Sequence, residues 1–115
     1  MATIIDLNQA KSLIQEYRQQ NATSGGPALV TPDKKFHHGF FINRKIIEDM
    51  LSNPNVLGIS IDLAKHPDFT GSSENVFTLI LSGAEPATAA STPYVNTGNI
   101  YCAPPPCPPF CVDLG

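Results

Sequence analysis

A strict alternation of apolar and polar positions marks residues 56–63 as a β-strand. Its aliphatic side chains occupy every second position: Leu57, Ile59, Ile61 and Leu63. A period of two places them on one face of the strand. A second run, residues 76–81, is apolar on both faces apart from Thr78, so we expect it inside a sheet. The polar segment between them, residues 64–74, predicts an exposed loop that joins an antiparallel pair.

Helical periodicity predicts helices at residues 7–20 and 44–52. The first helix follows Asp6, which can cap it, and Gln9 completes a capping-box pattern. We expect its apolar stripe to cover the core: Leu7, Ala10, Leu13, Ile14 and Tyr17. The second helix follows Asn43 and is expected to direct four apolar side chains inward: Ile46, Ile47, Met50 and Leu51.

An aromatic-rich segment, residues 34–42, predicts one more strand, after a long connector at residues 21–35. The element order is therefore helix, strand, helix, strand, strand. This order predicts an α+β fold, a two-layer sandwich with a small, mainly antiparallel sheet of about three strands and two helices on one face.

The composition changes after Gly83. Seven of the eleven prolines follow it, and no Lys or Arg follows Lys65. We therefore divide the chain into an α+β domain, residues 1–85, and a Pro/Cys-rich extended tail, residues 86–115. Proline removes a backbone donor and disrupts helices, so polyproline II is expected in the tail.

Length and charge narrow the possible classes of protein. A chain of 115 residues has room for one small domain. A net charge of −3 argues against a nucleic-acid partner, and no 18-residue apolar run predicts a membrane span. The N-terminus shows no basic leader followed by an apolar core. We therefore expect a cytoplasmic protein, with leaderless export as the alternative.

Three cysteines in the tail, Cys102, Cys107 and Cys111, offer thiol or metal chemistry. A regular polyproline II segment would hold Cys107 and Cys111 about 12 Å apart, whereas a disulfide needs at most about 7 Å between Cα atoms. The prolines therefore either prevent this bridge or bend sharply to form it, with a cis bond at Pro108 or Pro109 as the available device. The alternative without special chemistry is that the three cysteines are free thiols that pack as small apolar groups.

A zinc site would need a further ligand, because closed sites have four. The fold would have to supply His37, His38, His66 or Asp113. Neighbouring residues of a strand point to opposite faces, so His37 and His38 cannot both bind one ion from a regular strand. We expect no cofactor, with zinc as the alternative.

An acidic and imidazole trio around the predicted loop, Asp62, His66 and Asp68, allows a small hydrolase as a remote alternative. No nucleophile or oxyanion motif accompanies the trio, so ordinary loop polarity is favoured. A hydrolase would require a pocket between this loop and the connector at residues 21–35.

Two segments, FFINRKIIEDMLSNPNVLGISIDLA and PPPCPPFC, carry a resemblance to a known group of proteins. An aromatic strand, a short helix and a G-I-x-I-x-L strand precede a Cys-Pro-Pro-x-Cys end. Over residues 39–111 this order resembles small uncharacterised proteins of Bacteroidetes-type bacteria. The resemblance implies no activity, cofactor or catalytic residue. It implies only that the Cys-Pro end is a feature of the type.

The favoured hypothesis is a non-enzymatic interaction or self-assembly protein, with no catalytic residue. Its tail would dock on another copy, forming a homo-oligomer, or on another protein partner, because polyproline loses little conformational entropy on docking. The expected contact residues lie in the tail: Tyr101, Pro105, Pro106, Pro108, Pro109 and Phe110. The alternative is a metal- or redox-responsive module with six candidate side chains: Cys102, Cys107, Cys111, His37, His38 and His66.

Overall fold

The computed structural model describes residues 2–23, 28–87 and 93–114, and it is α+β, as predicted. The helices are α1 (Leu7–Thr23) and α2 (Arg44–Leu51), with a short 3-10 helix at Pro67–Phe69. The strands are β1 (Gly39–Phe40), β2 (Gly58–Lys65), β3 (Phe77–Pro86), β4 (Tyr94–Val95), β5 (Ile100–Cys102) and β6 (Pro106–Cys107). No helix in these three ranges is long and apolar enough to cross a membrane.

Strand β3 is the centre of a four-stranded antiparallel sheet. It pairs with β2 along its length, from Gly58 opposite Ala84 to Lys65 opposite Phe77. Its other edge pairs with β4 and β5. The position of β3 inside the sheet agrees with its apolar pattern on both faces. Two of the three predicted strands, β2 and β3, lie in this sheet, and two strands from the C-terminal segment bring it to four. The third predicted strand lies elsewhere, because β1 pairs with β6 in a separate two-stranded sheet.

The predicted strand at residues 34–42 is much shorter in the structure, where only β1 is a strand. The chain turns before it: Lys34 donates its backbone N–H to the Thr31 carbonyl at 2.9 Å and has a φ of 69°. Phe36 then forms only an isolated bridge with Val30. The turn breaks the extended conformation that the aromatic residues favour, so this prediction was too long.

Helix α1 begins where its capping pattern predicts, because Asp6 Oδ1 accepts from the Gln9 backbone N–H at 2.7 Å. Its predicted core-covering stripe is wrong, since α1 contains no buried residue among those described. Leu7 and Leu13 are both more than half exposed. The Tyr17 hydroxyl donates to the His37 carbonyl at 3.0 Å, which ties the helix to the chain before β1.

Helix α2 is capped by Asn43, whose side chain accepts from the Ile46 N–H. It packs against β3 and buries Met50, but Ile47 and Leu51, both predicted to point inward, are exposed. The buried apolar side chains among the described residues are few: Met50, Val76, Leu79, Leu81 and Cys107. The core therefore lies around β3 and α2, and it is thin for a chain of this size.

The aliphatic face of β2 is largely uncovered, contrary to expectation. Ile61 is 52% exposed and Leu63 82%, and Leu57, directly before the strand, is 66% exposed. The upstream segments, α1 included, do not shield these side chains.

The predicted boundary at residue 85 falls near the end of β3. Beyond it, β5 pairs with β3 and β6 pairs with β1, so the C-terminal segment is joined to the rest by backbone hydrogen bonds. The division into two units stays a prediction.

Candidate functional site

The pairing of β1 with β6 lays the Pro/Cys segment on the chain near the two histidines. Gly39 lies opposite Cys107, and the His38 backbone N–H donates to the Cys107 carbonyl at 2.7 Å. On the other side, the Phe41 N–H donates to the Pro105 carbonyl at 2.8 Å. These bonds fix the position of Cys107 relative to His38.

Cys107 and Cys111 form a disulfide with their Cα atoms 4.8 Å apart. Of the two alternatives left open by the proline spacing, the bent one is present. The Cys107–Pro108 and Pro108–Pro109 peptide bonds are cis, and the Phe110 N–H donates to the Pro106 carbonyl at 3.0 Å. We call residues 107–111 the disulfide loop.

The disulfide loop brings three potential metal ligands together. The ligand atoms of His38, Cys107 and Cys111 all lie within 4.8 Å of one another. Cys107 is buried, His38 is half-buried and Cys111 is exposed, so the cluster opens to solvent on one side. The third thiol, Cys102, lies on β5, where it is free and exposed and not part of the cluster.

The two neighbouring histidines have different environments, although neither lies in a strand. His37 is buried, and its Nε2 donates to the Gly39 carbonyl at 2.8 Å. Burial lowers the pKa of His37. Burial also lowers the pKa of His38, followed by repulsion from the Arg18 guanidinium and from His37. Both shifts favour the neutral form of the imidazole.

His66 lies apart from the cluster. Its Nδ1 accepts from the Asp68 N–H at 3.1 Å, and its ring packs edge-on against Phe69. A cavity of about 110 Å³ is lined by Pro32 and His66 but not by Asp62, which is exposed on β2. The acid and imidazole pair required by the hydrolase alternative is thus not assembled there.

A cavity of about 610 Å³ lies next to the cluster, between α1 and the residues after the disulfide loop. Arg18 lines it from α1, together with His38, Cys111 and Asp113.

The predicted contact residues of the tail divide by exposure. Three of them are half-buried against the chain itself: Tyr101, Pro106 and Pro108. The other three are exposed: Pro105, Pro109 and Phe110. Phe110 stands at the tip of the disulfide loop, with its ring centroid 6.4 Å from that of Phe41, which is also exposed. Phe41 was not predicted as a site residue, although it belongs to the aromatic segment that was singled out.

A second candidate surface is the outer edge of β2. Within the described residues, β2 pairs with β3 alone. The side chain of Leu63, on β2, lines an apolar cavity of about 460 Å³ together with Tyr17 and Phe77. Sequence reasoning identified the strand but not its edge position, because an alternating pattern is the same for a strand with one neighbour or with two.

A polar cavity of about 470 Å³ lies at the far end of the sheet and contains the buried Glu85. The Glu85 carboxylate accepts hydrogen bonds from the Thr97 backbone N–H at 3.1 Å, from the Thr97 hydroxyl and from the side-chain amide of Asn53. The hydrogen bonds from Thr97 lower the pKa of this carboxyl. The carboxylate is satisfied by its own chain, which fits a structural role.

No protein-family model, curated protein or solved structure was found to match this chain.

Proposed function

We propose that the protein is a non-enzymatic self-assembly protein in which two copies join edge to edge through β2. The observation that supports this most directly is the outer edge of β2, an eight-residue strand with exposed aliphatic side chains whose outer edge pairs with no other strand among the described residues. Natural sheets protect such edges with short strands, prolines, bulges or charges. Here the only charges are Asp62 and the terminal Lys65.

The thin core supports the same proposal. Large apolar side chains are exposed along α1, β2 and the C-terminal segment, whereas the buried apolar set is small. Large exposed apolar patches mark interaction surfaces in soluble proteins. A second copy on β2 would remove part of this surface from water.

The backbone of β2 alternates between its two edges, and only the edge toward β3 has a partner strand among the described residues. The His66 N–H donates to the Val76 carbonyl at 3.0 Å, which continues the register of the β2 and β3 pair. Successive residues of a strand point their N–H groups to opposite edges, so even-numbered residues bond β3. We infer that the N–H and C=O groups of Ile59, Ile61 and Leu63 point outward.

An antiparallel pair of two β2 strands is self-complementary when Ile61 lies on the two-fold axis. Ile61 then faces its own copy, and Ile59 faces Leu63 of the second copy. On the opposite face of the sheet, Asp62 lies opposite Ser60 rather than another acid. This register joins apolar side chains on one face and keeps like charges apart. About 24 Å of paired backbone would result, from residues 58–64 of each strand at 3.4 Å per residue.

The test is the mass in solution as a function of protein concentration, by sedimentation equilibrium of the oxidised chain. A Cys102→Ser background prevents cross-linking through the exposed thiol. We expect a dimer of twice 12.3 kDa at high concentration. Ile61→Lys should give a monomer, because two ammonium groups would face each other at the axis.

The matched control is Ile100→Lys, since Ile100 is an exposed isoleucine on β5, away from β2. This variant should still dimerise. A chain that remains at 12.3 kDa throughout, or a dimer that Ile61→Lys leaves intact, would overturn the proposal.

A second candidate, docking through the tail, is favoured by one observation. Phe110 and Phe41 form an exposed aromatic pair at the disulfide loop, and aromatic side chains are enriched at the centres of interfaces. If copies join through this pair, Phe110→Ala abolishes association while Ile61→Lys preserves it. The same sedimentation measurement therefore separates the two surfaces.

A further inference from the structure

We propose that His38, Cys107 and Cys111 form a binding site for a thiophilic metal ion, Zn²⁺, when the disulfide is reduced. Two thiolates and one imidazole are a ligand set that zinc accepts, with a fourth position left for water or an external ligand. This inference does not depend on self-assembly through β2.

The three ligand atoms lie within 4.8 Å of one another, with the two sulfurs joined in the disulfide. Ligands at about 2.1–2.3 Å from zinc in a tetrahedral arrangement lie roughly 3.5–3.8 Å apart. After reduction the two sulfurs would therefore have to separate to this distance, which Cα atoms 4.8 Å apart allow by rotation of the cysteine side chains.

The positions of the ligands are held by the backbone. His38 and Cys107 are joined through the hydrogen bond between their main chains at 2.7 Å. The turn that returns Cys111 to Cys107 is closed by the bond from Phe110 to Pro106. Neither hydrogen bond involves a sulfur atom, so we expect the reduced chain to keep the ligands near each other.

Oxidation and metal binding exclude each other at this site. A disulfide holds its sulfurs about 2 Å apart with no thiolate available, whereas zinc requires two separate thiolates. A dithiol reductant supplies the two electrons and two protons that convert the disulfide to two thiols, and itself becomes a disulfide. Binding of Zn²⁺ then releases the two thiol protons, and the His38 imidazole donates the lone pair of one ring nitrogen.

The local charge is compatible with this assignment. Arg18 lies near His38 and Cys111 and would repel an isolated dication. The two thiolates neutralise the charge of Zn²⁺, so Arg18 does not repel the complete complex.

The experiment measures metal affinity in the full chain before and after reduction. The chain is reduced with a phosphine, which takes up the oxygen of water as the disulfide becomes two thiols, and is desalted without oxygen. Zn²⁺ is then titrated against a chromophoric chelator. We expect one ion per reduced chain and none per oxidised chain. Co²⁺ should give the intense visible bands and sulfur charge-transfer absorption of a tetrahedral thiolate site.

Matched variants test the identity of the ligands. Cys111→Ser and His38→Ala should each weaken binding at least about tenfold, the lower range for loss of supporting groups around metal sites. Cys102→Ser and His66→Ala remove the same residue types outside the cluster, and they should bind as the unchanged chain does. Circular dichroism of each variant shows whether it is folded.

Three outcomes would overturn the proposal: equal binding by the oxidised chain, equal binding by Cys111→Ser, or loss of binding in Cys102→Ser. If Cys111→Ser does not fold, the His38→Ala and His66→Ala pair decides the question.

Discussion

Strands β2 and β3 pair along eight residues, yet their side chains differ sharply in exposure. Ile61 of β2 is 52% exposed, whereas its partner Leu81 on β3 is 1% exposed. Leu63 and its partner Leu79 show the same contrast. Both strands carry aliphatic side chains, so composition does not explain the difference.

The neighbours of each strand do explain it. β3 has β2 on one edge, β4 and β5 on the other, and α2 across one face. β2 has β3 alone among the described elements. Burial is thus a property of position in the sheet, and the exposed surface of β2 remains available for association. Such surface contributes about 25 cal/mol per Å² when it is removed from water.

The largest expected effect on stability is a difference between matching leucine substitutions in β3 and β2. Leu81→Ala should lower the free energy of unfolding by about 2–5 kcal/mol, because it leaves a cavity in the core. Leu63→Ala, on an exposed side chain, should change it by less than about 0.5 kcal/mol. Urea denaturation at low protein concentration measures both.

Equal losses for the two variants at low concentration would contradict this view of β2. A loss for Leu63→Ala that grows with protein concentration would instead show the strand becoming buried in an assembly.

A smaller effect is expected from two glycines in the same strands. A Cβ added at Gly83 of β3 would lie 3.1 Å and 3.4 Å from the two methyl groups of Val56, whereas one added at Gly58 of β2 meets nothing within 4 Å. Gly83→Ala should therefore destabilise the fold by about 1 kcal/mol through overpacking. Gly58→Ala should be neutral or stabilise by up to about 1 kcal/mol, because alanine restricts the unfolded chain.

Thermal or urea unfolding of these two variants provides the comparison. If Gly83→Ala proves as stable as Gly58→Ala, then Val56 moves aside freely, and packing around β3 is looser than the distances indicate.

The sequence was sufficient for the local elements. The period of two predicted β2, the run of apolar residues on both faces predicted an internal β3, and Asp6 and Asn43 predicted the helix starts. These features depend on residues close together in the chain, so a single sequence contains the information.

Features that depend on distant partners were not predictable in the same way. β2 is exposed because no second strand pairs with its outer edge among the described elements. The alternation of apolar and polar residues would be the same whether or not such a strand were present. The hydrogen bond between His38 and Cys107 joins residues 69 positions apart in the chain, and it depends on the pairing of β1 with β6. The proline spacing allowed two conformations of the disulfide loop, and only the three-dimensional structure distinguishes them.

The last expected effect concerns a buried hydroxyl on β3, whose loss of hydrogen bonds to water destabilises the fold. Thr78 is 1% exposed, and its hydroxyl has no hydrogen-bond partner among the described residues. A buried hydroxyl without a partner loses its bonds to water, so Thr78→Val should raise the free energy of unfolding by about 1 kcal/mol. Thr31 is the matched control, since it is equally buried but its hydroxyl donates to Asp33 and accepts from the Lys35 N–H at 3.1 Å. Thr31→Val should therefore lower the stability by about 1–3 kcal/mol, and urea denaturation of both variants should give changes of opposite sign. A loss of stability in Thr78→Val would show that its hydroxyl is bonded in solution, and that β3 buries its polar group without this cost.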